Sequence, residues 1–489
     1  MPEPISPARR RWIFVAAMVV SFVSAIEVTI VATAMPTIVG ALGDFALFSW
    51  VFTAYLLTQG VTVPIYGRLC DFYGRKRILY IGLVFFVIGS LLCGFAWNMT
   101  SLITFRVVQG LGGGSLATVS QTMVSDLYPP AERAKVQGYI SSTFATSALV
   151  GPIFGAFIVA HWTWPWVFWV NLPLCALIVV MLEATFREHL ELRSHEIDYL
   201  GSLLMALATF LLMYALTRAA ALSAGMIVLL LAGAAIAFVL LLIQERRARE
   251  PLLPLEIWRN RMVVLGNCAS ASIGGMQMAV TAFLPAFVQG VIGQSAMFAG
   301  LALTAMSFAW PTGGFIAGRA LLRISFRKSS SLGSVVLVAG AVMMALLSPA
   351  LGAYWAIASA FVMGLGMGLT NMGFFVGIQS SVDWHQRGMV TSSFNYARIV
   401  GQSIGTAIFG GLVNAALSGR ISGGGDLASR ILDPSLRARL SPGELTPLLD
   451  AFSGALHHIY EINVVLALAT MLWAWALPQG LGVRNSVQK

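Results

Sequence analysis

The stretch Gly67-Arg-Leu-Cys-Asp-Phe-Tyr-Gly-Arg-Lys-Arg-Ile-Leu79 decides the fold class of this chain. It places one carboxylate, two glycines and four cations in a short segment, with a long apolar stretch on either side. Short basic segments are typical of the cytoplasmic ends of membrane helices, because charged side chains are costly inside a bilayer. The segment therefore predicts a short cytoplasmic loop that joins two membrane helices.

The composition extends this interpretation to the whole chain. Hydrophobic residues make up 58% of the 489 positions and charged residues 10%, against about 25% charged in an average soluble domain. The apolar residues come in blocks of ~20, the length that crosses ~30 Å of hydrocarbon. We expect an all-α polytopic membrane protein with fourteen transmembrane helices. The first runs from Trp12 to Ala34, the second from Phe48 to Leu69 and the last from Leu456 to Leu477.

The distribution of cations predicts the orientation. If both termini are cytoplasmic, most of the 30 Lys and Arg residues lie on the inner side, as the positive-inside rule requires. The cations of the outer segments are Arg218, Arg420, Arg430, Arg437 and Arg439. The net charge of +10 is then explained by short loops facing an anionic leaflet, and nucleic-acid binding is not expected.

The helices fall into a six-two-six arrangement. We expect an N-terminal six-helix bundle in residues 1–186, a linker with two additional transmembrane helices in 187–261, and a C-terminal six-helix bundle in 262–489. A faint repeat supports the two bundles, since Gly318-Arg319 follows the second helix of the second half as Gly67-Arg68 follows that of the first. Parallel halves of this kind place a substrate cavity at their interface near the bilayer midplane.

The external loop 418–455 is the one long hydrophilic insert and is rich in Gly, Pro, Ser and Arg. Two interpretations stay open for it. It is either a flexible connection or a docking surface for an accessory periplasmic export protein.

Glu27 is the only acidic residue well inside a predicted helix. A rise of ~1.5 Å per residue places it about 22 Å up the first helix, and Arg106, in a helix of opposite direction, lies at nearly the same depth. An ionised carboxylate in hydrocarbon must be paired, face water or take up a proton. We therefore expect Glu27 and Arg106 to approach each other and to couple transport to protons. A fixed ion pair that only orients the helices is the alternative.

The charged segment also suggests a gate. Asp71 and Arg75 are four residues apart and can pair with each other or with a neighbouring helix end. Making or breaking such pairs favours one access state over the other. The residues assigned to this gating loop are Gly67, Arg68, Asp71, Gly74, Arg75, Lys76 and Arg77. A plain positive-inside anchor explains the three consecutive cations but not the spacing of the glycines and the aspartate.

Gly151, Pro152 and Gly155 lie in the outer half of the predicted fifth helix. Proline kinks a helix, and small residues let a neighbouring helix press into the bend. A kink that serves packing alone is the other interpretation.

Catalytic and metal-binding patterns are missing from the sequence. We find no Ser-His-Asp or Cys-His arrangement placed for nucleophilic catalysis. The four cysteines are scattered without metal-ligand spacing, and the adjacent His457 and His458 point to different faces of a helix. We therefore expect neither an enzyme nor a bound metal or cofactor.

Taken together, the chain resembles the fourteen-helix drug:proton antiporters of the major facilitator superfamily over nearly its whole length. The elements that carry the resemblance are Ile26 to Pro36, Trp50 to Leu57, Gly67 to Leu79, Arg106 with Gln109-Gly110, Gly151-Pro152 with Gly155, and Trp164 to Pro173. Glu27 stands where the family usually has aspartate. Ser147 and Ala156 replace glycines beside the antiporter motif, and Pro165 replaces the usual arginine.

The resemblance implies a major facilitator fold and proton-coupled export of amphipathic drug-like compounds across the cytoplasmic (inner) membrane by alternating access. The proton gradient is then the energy source. Glu27 and Arg106 would couple protons, and Gly151, Pro152 and Gly155 would form the antiporter motif. Polar candidates for the substrate cavity are Tyr55, Gln59, Gln109, Gln277, Asn371, Asn395 and Arg398. A dedicated exporter of one metabolite, siderophore or peptide shares these motifs, and a non-transporting membrane sensor or assembly partner is the alternative from another class.

Overall fold

All regular secondary structure is helical in the residues that the computed structural model describes, which are 7–128, 130–186, 198–217, 222–248, 255–321, 323–382, 386–418 and 442–478. The helices are α1 (Pro7–Leu42), α2 (Phe48–Tyr73), α3 (Arg75–Gly94), α4 (Met99–Leu127), α5 (Pro130–His161), α6 (Trp166–Trp169), α7 (Asn171–Thr185), α8 (Tyr199–Thr217), α9 (Ala224–Arg247), α10 (Arg261–Ala286), α11 (Ala296–Ala320), α12 (Phe326–Ala345), α13 (Gly352–Ser380), α14 (Arg387–Ser418) and α15 (Pro442–Trp475). A π-helical turn, Phe287–Val291, continues α10.

Many of these helices can cross a bilayer. Ten helical segments of the described chain are long and apolar enough to do so by length and composition, and Thr146–His161 and Leu200–Leu216 are shorter apolar helices. The prediction of an all-helical, multi-pass membrane protein is therefore confirmed. The number of fourteen crossings and the cytoplasmic position of both termini stay predictions.

The helices before α8 and those after α9 pack in the same pattern. In the first set, α1 packs against α4, α5 and α7, and α4 packs against α2 and α3. In the second set, α10 packs against α13, α14 and α15, and α13 packs against α11 and α12. We call these sets the first half and the second half. Helices α8 and α9 pack against each other, and α8 also contacts α2 and α14, one helix from each half.

The pattern repeats down to single glycines. A Cβ built at Gly89 of α3 would lie 2.4 Å from Gln109 N of α4, and a Cβ at Gly340 of α12 would lie 2.5 Å from Met363 N of α13. A side chain at either position would clash with the neighbouring helix. Both halves therefore use glycine for the close approach of corresponding helices, α3 with α4 and α12 with α13. The repeat is thus carried by helix packing as well as by the basic segments.

The two halves meet through α1 with α10, α2 with α14 and α5 with α11. Hydrogen bonds between the halves include Asn414 Nδ2 to Ala46 O (2.6 Å), Gln289 Nε2 to Thr33 O (3.4 Å) and Thr304 Oγ1 to Leu149 O (3.4 Å). These bonds lie toward the side on which α1 ends and α2 begins, which the cation distribution predicts to be the outer side. The halves are therefore joined on the predicted outer side.

The charged segment that decides the fold class is not an extended loop. Helix α2 continues to Tyr73 and α3 begins at Arg75, so Gly74 alone separates them. Gly74 has φ of 85°, which glycine adopts at little cost, and one such residue suffices to turn the chain. The predicted loop is wrong in extent, and most of its residues are helix ends. The backbone of Arg68 and Asp71 belongs to α2, but their side chains lie outside the described residues.

Two other predicted boundaries are wrong. Helix α1 passes through Pro36 to Leu42, beyond the predicted end at Ala34, because a proline is tolerated in a membrane helix whose neighbours satisfy the freed carbonyl. Helix α15 begins at Pro442, well before the predicted start at Leu456. The last part of the predicted external loop is therefore helical, and 419–441 lie outside the described residues.

Candidate functional site

A buried ion pair joins α1 and α4. Arg106 Nη1 donates a hydrogen bond to Glu27 Oε1, and both side chains are fully shielded from solvent, with 0% exposure. The same Nη1 donates to Gln109 Oε1 at 2.6 Å, and Arg106 Nε donates to the carbonyl of Val51 at 3.1 Å. The guanidinium therefore has one charged and two neutral acceptors, drawn from three helices.

Other helices complete the surroundings of the pair. Asn171 Nδ2, at the start of α7, donates to Glu27 Oε2 at 2.5 Å. Gln109 Nε2 donates to Ser90 Oγ of α3 at 2.8 Å. The guanidinium carbon of Arg106 lies 4.2 Å from the centre of the Tyr55 ring, a distance typical of a cation–π contact. We call Glu27, Arg106, Gln109, Asn171, Ser90 and Tyr55 the ion-pair cluster.

The cluster can act as a charge switch. Removing two charges from water is offset only where the pair has good geometry and further hydrogen bonds, and both oxygens of Glu27 have a donor. A proton on Glu27 would cancel the attraction to Arg106, while Gln109 and the Val51 carbonyl would still hold the guanidinium. Protonation of Glu27 can therefore weaken the contact between α1 and α4 while Arg106 keeps two hydrogen-bond acceptors. Its role in proton coupling stays a prediction.

Two members of the cluster, Asn171 and Ser90, were not predicted from the sequence. Asn171 stands inside the Trp164 to Pro173 element, so a signal was present there, although no role was assigned to it. Ser90 is a single serine in an apolar helix, and nothing in its sequence surroundings marks it.

The Gly151-Pro152 element lies between the ion-pair helix and the second half. A Cβ at Gly151 would lie 2.1 Å from Thr29 Oγ1 of α1, half a turn from Glu27. On the opposite side, a Cβ at Gly300 of α11 would lie 2.8 Å from the Pro152 carbonyl. Gly155 makes a similar close approach to α1. Helix α5 therefore contacts both α1 beside the ion pair and the second half.

The second half repeats this packing without the charges. A Cβ at Gly401 of α14 would lie 1.9 Å from the Ala271 carbonyl of α10, and Gly405 makes the next close approach to α10. Alignment of these contacts with those of the first half places Ser272 at the position of Glu27 and Ala360 at that of Arg106. The buried ion pair is therefore a feature of the first half alone.

The predicted gating segment contacts α7. Lys76 Nζ lies 3.0 Å from Glu183 Oε2, and Tyr80 OH donates to Glu183 Oε1 at 2.8 Å. The side chains of the pair are 23% and 58% exposed, and an exposed ion pair of this kind contributes ~0–1 kcal/mol. Neither Tyr80 nor Glu183 was identified from the sequence.

The seven predicted cavity residues lie in two groups. Tyr55 and Gln109 belong to the ion-pair cluster, and Gln59 is buried near them, with Nε2 3.5 Å from the Gly113 carbonyl. The others, Gln277, Asn371, Asn395 and Arg398, lie in the second half on α10, α13 and α14. Gln277 Oε1 accepts a hydrogen bond from Gln402 Nε2 at 2.9 Å, and sequence analysis did not identify Gln402. The assignment of the seven residues to one substrate cavity at the interface between the halves stays a prediction.

Comparison with known proteins supports a transporter family. A sequence model of the Major Facilitator Superfamily matches residues 17–406. The chain is 33% identical over 471 residues to multidrug resistance protein 3 of Bacillus subtilis (strain 168), covering 92% of each chain. It is also 33% identical over 412 residues to the multidrug transporter protein MdtP of the same organism, covering 83% of this chain and 76% of the relative.

Among solved structures, the chain is similar to a bacterial homolog of the human lysosomal transporter Spinster in an inward-facing and unoccupied conformation. The TM-score is 0.67 at 16% sequence identity, covering 96% of this chain and 97% of the other. At this identity, the similarity supports the fold.

Proposed function

The chain belongs to the major facilitator superfamily, and from this premise we propose that it exports amphipathic drug-like compounds across the cytoplasmic (inner) membrane in exchange for protons. Two relatives at 33% identity carry names that refer to multidrug resistance and multidrug transport. The observation that carries the proton part of the proposal is the ion-pair cluster, in which a fully buried carboxylate is bound by Arg106 and Asn171.

Protonation of Glu27 is the step that couples the proton to the conformational change. The added proton removes the negative charge that faces Arg106 and frees α1 from its electrostatic attachment to α4. Helix α5 packs against α1 beside this site and against α11 on its other side. A shift of α1 therefore reaches the interface between the halves through α5.

The contacts between the halves set the side from which a compound would be taken up. If these outer contacts persist while the halves separate on the inner side, a compound would be taken up from the cytoplasm. Each charge that moves along the potential yields ~2.3 kcal/mol per 100 mV. One proton per cycle would therefore support roughly a fortyfold gradient at that voltage, since ~1.4 kcal/mol corresponds to a factor of ten.

Proton movement in inverted membrane vesicles tests this function. Vesicles energised by respiration receive a panel of amphipathic compounds, and release of lumenal protons is recorded. We expect compound-triggered release from the wild-type protein and its loss in Glu27→Gln. Glu461→Gln is the matched control, since it removes an exposed carboxylate on the predicted outer side that pairs with His458 and should keep the response.

Two results would contradict the proposal. Proton release that persists in Glu27→Gln would separate proton coupling from the ion-pair cluster. If no compound in the panel triggers release while the protein is present in the membrane, multidrug export is excluded, and a dedicated exporter or a non-transporting role would replace it.

A further inference from the structure

Arg398 is a cation in a membrane helix without a counter-charge. It lies within the apolar segment Ser393–Ala416 of α14 and is only partly exposed. Its Nε is buried without a hydrogen-bond partner, and the described part of the chain offers the guanidinium no carboxylate. An arginine inside a membrane helix is costly in free energy, and such residues are typical of functional sites.

A second unsatisfied polar group lies next to Arg398. Helices α13 and α14 run antiparallel, and the contacts that set their register are the Phe375 and Phe394 rings, with centroids 5.6 Å apart, and the hydrogen bond from Gln379 Nε2 to Thr391 Oγ1, at 2.9 Å. One turn further along both helices, this register brings Asn371 of α13 opposite Arg398. Asn371 Oδ1 is also buried without a hydrogen-bond partner. Arg398 therefore keeps a donor, and Asn371 an acceptor, that no protein group satisfies, and of the two only the donor can bind an anion.

Arg398 belongs to a polar face of α14. Asn395, Arg398 and Gln402 are three and four residues apart, the spacing that places side chains on one face of a helix. Gln402 already donates a hydrogen bond to Gln277. Arg398, the charged residue of this face, has no such partner for its Nε. A negatively charged ligand would satisfy it.

The buried charges of the first half point to the same ligand class. A cationic compound needs a carboxylate, but Arg106 donates to one oxygen of Glu27 and Asn171 to the other. Glu27 has no exposure through which a compound of drug size could reach it. The first half thus holds a neutral ion pair, whereas α14 of the second half holds an arginine without a counter-charge among the described residues.

We propose that Arg398 binds the negatively charged group of the exported compound, and that the substrates are amphipathic organic anions such as carboxylates. The planar guanidinium donates two parallel hydrogen bonds to a carboxylate. This inference rests on the proposed function, since it names the substrate class of the same transport cycle.

Binding to the purified protein tests the inference. Three probes share one skeleton: a naphthyl carboxylate, its methyl ester and a naphthyl trimethylammonium salt. Calorimetry on wild type should show preference for the carboxylate. Arg398→Gln should weaken carboxylate binding about tenfold or more and leave binding of the ester unchanged. Arg398→Lys keeps the positive charge but not the planar guanidinium with its two parallel donors, and it should bind the carboxylate more tightly than Arg398→Gln but less tightly than the wild type.

Matched variants exclude indirect effects. Arg319→Gln removes a cation that stacks on Phe315 near the end of α11 and should bind the carboxylate as the wild type does. Unchanged ester binding by Arg398→Gln would show that this variant folds. Equal binding of cation and carboxylate by the wild type, or carboxylate binding that is insensitive to Arg398→Gln, would overturn the inference.

Transport of the same probes in energised inverted vesicles separates the two proposals. Arg398-dependent uptake of the carboxylate supports both. Carboxylate binding that depends on Arg398, without uptake of any probe, would contradict export while supporting the anion site. Uptake of the ester or the cation that is independent of Arg398 would support export and overturn the anion site.

Discussion

At the scale of single residues, the interior of the first half is organised around one pair of charges. Glu27 and Arg106 come from helices far apart in sequence, and their full burial makes each depend on the other. Breaking a buried pair by removing one partner costs ~3–5 kcal/mol, because the remaining charge is left uncompensated. Replacing both charges costs less.

This predicts non-additive effects on stability. Arg106→Met should lower the free energy of unfolding by ~3–5 kcal/mol, since Glu27 keeps only the hydrogen bond from Asn171. Glu27→Gln combined with Arg106→Met should be more stable than Arg106→Met alone. Unfolding of the purified protein in mixed micelles measures all variants. A double variant whose loss equals the sum of the two single losses would show that the residues do not depend on each other.

At the scale of helices, close approach through glycine is the recurring device. In both halves glycines bring α3 to α4, α12 to α13, α5 to α1 and α14 to α10. Lipid is as apolar as the helix surfaces, so helix association in a bilayer depends on tight packing and polar contacts. The positions at which a Cβ has no room are therefore the ones that hold the helices of each half together.

The prediction at this scale compares two glycines. Gly401→Ala would place a Cβ 1.9 Å from the Ala271 carbonyl, and overpacking of this kind costs ~1–3 kcal/mol. Gly454→Ala is the matched control, because Gly454 of α15 has nothing within 4 Å of its built Cβ, and alanine favours the helix by ~0.5–1 kcal/mol. Thermal unfolding should therefore shift in opposite directions for the two variants. Equal effects would mean that the α10–α14 contact tolerates a methyl group.

At the scale of the whole molecule, the two halves are joined on the predicted outer side. The hydrogen bond from Asn414 to the Ala46 carbonyl spans the halves there. By contrast, the bond from Asn260 to Ser381 joins two helices of the second half. A transport cycle by alternating access requires the first contact to open, whereas the second can persist.

Disulfide trapping follows from this difference. In a background without the four native cysteines, the pair Ala46→Cys with Asn414→Cys should cross-link under oxidation and abolish transport, and reduction should restore it. The pair Asn260→Cys with Ser381→Cys is the control and should cross-link without loss of transport. Transport that continues across a completed 46–414 cross-link would rule out opening at this place.

Much of the architecture could be predicted because it depends on local properties. Membrane class follows from the lengths of apolar segments, and the depth of Glu27 and Arg106 follows from a constant rise along each helix. The repeat of Gly67-Arg68 in Gly318-Arg319 indicated a duplicated arrangement, and the helix contacts of both halves share one pattern. The extent of the charged segment was not predictable in this way, since a single glycine at positive φ replaces a loop.

The sequence by itself determined that this chain is a helical membrane protein and which residues carry charge into its helices. Only the tertiary structure decided their partners: Asn171 and Ser90 in the ion-pair cluster, Gln402 beside Gln277, Asn371 opposite Arg398, and the closure of the halves on one side. The physical reason is that composition and rise per residue are properties of one helix. Packing between helices decides which of their faces meet. These contacts join residues far apart in the chain, so the pattern within one helix does not predict them.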